Sequence, residues 1–147
     1  MTTTEAVEWA TSSISNDVPG NEPRMNKRAE LKLLHSPGIP DLETAKLPDP
    51  TDFVLLVQAM IGPEGEDGAD TFDFLVATPK WLERRVTLES PLTGHSYLFV
   101  ERYDYEQIRR EIERICSLAA GPSWPAVASI LARYGRWEYG DIASASG

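Results

Sequence analysis

Four carboxylates, Glu64, Glu66, Asp67 and Asp70, fall within one seven-residue stretch, with glycines at 65 and 68 between them. Acids so closely spaced suit three kinds of chemistry. A calcium loop needs acids at alternating positions, a glycine at the sixth and a bidentate acid at the twelfth. Counted from Glu64, the sixth position is Ala69, so that pattern fails. A glycosidase needs two carboxylates facing each other across a cleft, and the tip of a Gly-rich turn positions them poorly for that. What remains is a solvated loop or an acidic patch that meets a partner. Like charges this close repel one another. The surrounding segment, residues 41–73, holds nine acids and the single base Lys46, so it offers nothing to offset them. A basic partner would relieve that repulsion.

The other residues with chemical potential read as structural. His35 and His95 share no metal-ligand spacing with each other or with Cys116, and Cys116 sits beside the apolar face of a helix with no local base to activate it. Neither a G-x-G-x-x-G pattern nor a Walker loop is present. Trp81 and Trp124 read as core anchors on amphipathic helices, and Trp137 as a terminal plug packing across a sheet. The expectation is a protein with no catalytic residue, no metal and no cofactor. The net charge of -9 argues against nucleic acid and anionic lipid as partners. No apolar run approaches the ~20 residues of a membrane span, no secretory signal is expected at the N-terminus, and a lone cysteine precludes an internal disulfide. A cytoplasmic location is therefore expected.

Behind the carboxylates stand the elements that must hold them. Phe53 to Ile61 is a nearly continuous apolar run, as in a central strand, and Thr71 to Thr78 reads as a second long strand. A Gly-rich loop joins them, which predicts a hairpin with the acids at its tip. Glu30 to His35 and His95 to Glu101 read as two further strands, and Arg136 to Tyr139 as a short edge strand. Thr78-Pro79 predicts a helix start, with a short helix over 80–85. Asp104 caps a helix whose apolar face is Tyr105, Ile108, Ile112, Ile115 and Ala119, ended by Gly121-Pro122. Ser123 caps a last helix with Trp124, Val127, Leu131 and Tyr134 on one face. The order predicts an α+β fold: a mostly antiparallel four-stranded sheet with helices packed on one face. Residues 1–29 read as a flexible tail, with Met25 as an alternative start, 30–142 as one domain, and 143–147 as a frayed end.

Several segments, taken in order, resemble a known family. They are Leu31-Lys32 with Ser36-Pro37, Gln58-Ala59-Met60-Ile61-Gly62-Pro63 before the acidic loop, and Phe72-Asp73-Phe74 leading to Thr78-Pro79-Lys80-Trp81-Leu82. Tyr103-Asp104-Tyr105 and Gly135-Arg136-Trp137-Glu138 follow. Over roughly residues 30–142 this succession is similar to the immunity protein 8 family of bacterial polymorphic toxin systems. The resemblance implies a cytoplasmic protein encoded beside a toxin, with no catalytic residues of its own. Its function would be to bind and neutralise that cognate toxin by occupying its surface or active site. The family motifs carry over as Ile61-Gly62-Pro63, Thr78 to Leu82, and Trp137-Glu138. The chain departs from the family in its extension over 1–29 and in its ending, where Tyr139-Gly140-Asp141 replaces a more acidic and aromatic finish. The toxin is expected to present a basic surface, and the contact residues to be Glu64, Glu66, Asp67, Asp70, Trp137 and Glu138. Two other classes stay open: a small hydrolase using clustered carboxylates, and a protein-interaction adaptor, which would show an exposed apolar patch.

Overall fold

The long apolar run and its neighbour pair as expected. In the computed structural model, which describes residues 26–140, β2 (Val54–Pro63) and β3 (Asp70–Ala77) form an antiparallel hairpin in register from Val54↔Ala77 to Ile61↔Asp70. Side chains alternate along both strands. Val57 and Ala59 face inward beside their partners Phe74 and Phe72, with Ile61 and Val76 further along the same face, all buried. Leu56, Gln58 and Met60 face outward beside Leu75, Asp73 and Thr71.

On the far side of β2 lies β1 (Lys27–His35), which begins three residues earlier than its apolar pattern indicates. Leu31 pairs with Ile61 and Leu33 with Met60, leaving Lys32 as an extra residue in a β-bulge. The bulge resets the alternation, so both Leu31 and Leu34 pack against the core. Apart from residues 26–29, the expected tail lies outside the described residues, as does the expected frayed end.

The sheet is larger than expected, with six strands in place of four. β4 (Tyr97–Phe99) pairs parallel to the upper half of β3, and β6 (Arg136–Trp137) pairs antiparallel to Phe72 and Asp73 on the same edge. The parallel pair corrects the mostly antiparallel expectation only locally. A helix intervenes between β3 and β4, and such a crossover returns the chain in the direction it started. β5 (Ala120–Gly121) pairs with Lys27 and Arg28. The sequence pattern places these residues at the end of a helix, because two residues carry no alternation to detect.

Each of the three helices starts at the expected cap. Thr78, Asp104 and Ser123 accept from the backbone N–H three residues on, at Trp81, Gln107 and Ala126. The helix α2 (Tyr105–Ser117) packs Ile108, Ile112, Ile115 and Cys116 onto the inner face, and α3 (Trp124–Leu131) adds Val127, Ala128 and Leu131. The α2 helix stops short of Gly121 so that Ala120 can reach β1. The first helix, α1 (Pro79–Leu88), runs longer than the expected 80–85 and buries none of its residues. Trp81 is therefore no core anchor; its ring lies 6.1 Å from Tyr97 on the outer side of the sheet. Trp124 does pack against the core.

Candidate functional site

The hairpin tip is built from its root upward. Gly62 is buried where the two strands close on the loop, and a Cβ there would land on the Gly68 carbonyl oxygen. Only glycine fits that approach. Gly65 and Gly68 hold φ of 77° and 96°, the left-handed region that lets the chain reverse. The Glu66 amide donates to the Pro63 carbonyl at 3.2 Å, and the Glu64 amide to the Arg28 carbonyl at 2.9 Å.

The carboxylates divide sharply by what they touch. Asp70 lies at the root, where its Oδ2 accepts the indole N–H of both Trp124 (2.8 Å) and Trp137 (3.0 Å). Trp137 stacks on Phe72 with centroids 6.2 Å apart and planes 11° apart, and meets Tyr139 edge-on at 6.0 Å. It thus plugs the β3 edge. Glu138 accepts the Thr71 amide at 2.5 Å through Oε1 while its own amide donates to the Thr71 carbonyl at 3.0 Å, extending the β6 ladder with a side chain. These three residues fasten α3, β6 and the base of the hairpin together.

At the tip the expectation of unrelieved repulsion needs correction. The bulged β1 runs alongside and supplies bases from outside the acid-rich segment. Lys27 pairs with Glu66 at 2.7 Å, and the Lys32 ammonium bonds the Glu66 carbonyl. The long sequence separation between β1 and the loop hid this partnership. Glu64 and Asp67 remain exposed and have no ion pair among the described residues.

Nor do the nine acids of residues 41–73 form one patch. The loop before β2 carries Asp41, Glu43, Asp49 and Asp52, while the tip follows β2, roughly 30 Å away along a ten-residue strand. Asp52 forms a two-bonded pair with Arg84 (2.6 and 3.1 Å), which raises the guanidinium's pKa. The Thr51 amide and hydroxyl, at 2.9 and 2.8 Å, hold the Asp49 carboxyl below its ordinary value. Asp41 caps its own turn by accepting from the Glu43 amide at 3.0 Å.

Among the described residues, the histidines and the cysteine lie apart, and His95 has Ser96 as its neighbour. Ser96, at a strained φ of 69°, contacts His95 Nδ1 at 2.6 Å, and both line a hollow of about 750 Å³ with Asp73. A serine nucleophile needs its histidine oriented by a third group. Among the described residues no carboxylate bonds His95, and Asp73 instead accepts from Gln58 at 3.2 Å. Burial pushes the Cys116 thiol up to about 12, with Glu113 adding to the rise, the reverse of an activated thiolate. Among the described residues no group of three or more His, Cys, Asp and Glu side chains is placed to hold a metal ion.

Comparison with known families assigns this framework. The model of the Immunity protein 8 family matches residues 29–142. The chain belongs to that family. None of the curated proteins and none of the solved structures compared matches it. The motifs that carried the resemblance fall on the framework: Gly62 at the closure of the hairpin, Thr78 at the α1 cap, and Trp137-Glu138 at the β3 edge. Thr78 is fully buried, and its hydroxyl also accepts the Phe53 amide at 3.1 Å, tying the α1 cap to the entry of β2.

Proposed function

We propose that this protein is a cytoplasmic immunity protein that binds its cognate toxin and neutralises it by covering the toxin's surface or active site. The observation that carries the reading is the hairpin tip, where Glu64 and Asp67 project on a loop whose root is fixed by Gly62 and by Asp70 between two indoles. A rigid, solvated, acidic projection suits a basic surface, and complementary charge raises association rates above the neutral baseline of about 10⁵–10⁶ M⁻¹s⁻¹. Glu64, Glu66 and Asp67 make the first contact, and Asp70, Trp137 and Glu138 hold them at the angle that contact needs. Inhibition by coverage requires no chemistry from the immunity protein.

The test is protection. The toxin domain encoded beside this chain is expressed in a host with and without it, and the purified pair is titrated by calorimetry. Growth restored only when both are present, together with a saturable complex, supports the reading. Growth arrest in both cases with no heat of binding refutes it.

A further inference from the structure

Among the described residues, the sheet has one covered face and one open one. The helices α2 and α3 take the inner face, and α1 meets the outer side through Trp81 on Tyr97. Strand alternation places Leu33 and Met60 in one outward row, Leu56 and Leu75 in another, and His35, Gln58 and Asp73 in a polar row between them. Leu33 is 58% exposed and Val54 38%. The polar row is internally bonded: His35 Nδ1 meets Gln58 Oε1 at 3.1 Å, and Gln58 Nε2 donates to Asp73. At the β3 edge, where β4 and β6 leave a gap, Leu56 and Leu75 line the hollow of about 750 Å³ together with Asp73 and Arg136. Apolar surface, a recess and a satisfied polar row are the anatomy of an interface centre rather than of a solvated face.

We propose, resting on the reading of this chain as an immunity protein, that the toxin's main contact is this open face, with an apolar side chain of the toxin seated in the hollow and toxin bases on the acidic tip at its end. Charge selects a basic foreign partner over a second copy of this chain. Each copy carries a net charge of -9, so two copies laid face to face repel one another. Lys27 and Lys32, the bases beside the tip, are already committed to Glu66. A partner with basic groups beside an apolar patch satisfies the face and the tip together. The two regions divide the kinetics: the tip sets how fast the complex forms, and the apolar face how long it lasts.

The experiment measures surface-resonance association and dissociation of the neighbouring toxin domain on the full chain and on Leu33→Thr, Leu56→Thr and Leu88→Thr, each checked for folding by thermal melting. Threonine keeps strand propensity at the first two sites. Leu88 lies on α1, is 77% exposed, and serves as the control. Leu33→Thr and Leu56→Thr should each dissociate about tenfold faster or more with little change in association rate, while Leu88→Thr matches the unaltered chain. Unchanged dissociation of both sheet variants, or a loss confined to Leu88→Thr, overturns the proposal while leaving the immunity reading standing. Failure of the unaltered chain to bind overturns both.

Discussion

Asp67 and Asp70 are three residues apart, carry the same group and belong to the same acidic loop, yet the structure gives them opposite surroundings. Asp67 faces water with no partner among the described residues, whereas Asp70 binds two tryptophans from separate elements. The same contrast separates Glu64 at the tip from Glu138 at the root. An acidic cluster is therefore not one functional unit. Its exposed members at the tip are placed to meet a partner, and its members bonded at the root hold the frame. The acids of α2 make a third case, because Glu106, Glu111 and Glu113 are answered by Arg109 and Arg114 on their own helix. Such exposed helical pairs contribute little to stability and leave little net field.

This contrast between root and tip can be broken most directly at Gly62. Gly62→Ala should destabilise the fold by about 3 kcal/mol, since the hairpin must open to clear the Gly68 carbonyl; urea unfolding measures it, and an unchanged midpoint would mean the root is not tightly closed. Asp70→Ala should cost about 2–3 kcal/mol by leaving two indole N–H groups without their charged acceptor. Asp70→Asn, which keeps a carbonyl acceptor, should cost clearly less. Neutralising all four loop acids together would consequently weaken the fold through Asp70, although repulsion alone predicts a neutral or stabilising change. Glu138→Ala should cost about 1 kcal/mol, the worth of one hydrogen bond at the β3 edge. Glu64→Gln with Asp67→Asn should leave stability within about 0.5 kcal/mol of the original. A larger loss in that double variant would place the tip acids in the frame and erase the distinction.

Much of the frame was legible in the sequence because its signals are local. The apolar run of β2, the alternation in β3, and the caps at Thr78, Asp104 and Ser123 each declare themselves within a few residues. What escaped depends on distant partners. Lys27 reaches Glu66 across 39 residues, and Asp70 reaches Trp124 and Trp137 across 54 and 67. No spacing rule links such positions, so the acids at tip and root looked alike. The strands β5 and β6 are two residues each, too short for alternation; β6 showed itself through the aromatic Arg136 to Tyr139 run, and β5 left no such mark. The outward residues of β1, β2 and β3 are written in the sequence, but which helix meets that face is a matter of topology, and α1 meets it through Trp81 on Tyr97.

The central claim is that the solvated tip acids guide the toxin onto this protein. Stopped-flow association of the neighbouring toxin domain with the unaltered chain and with the Glu64→Gln, Glu66→Gln, Asp67→Asn variant, over a range of salt, tests it most directly. The variant should associate about tenfold more slowly at low salt, converge on the unaltered rate as salt rises past the ~0.15 M where the screening length is about 8 Å, and dissociate at an unchanged rate. Equal association rates for the two proteins at low salt would contradict the claim and place the encounter surface elsewhere on the molecule.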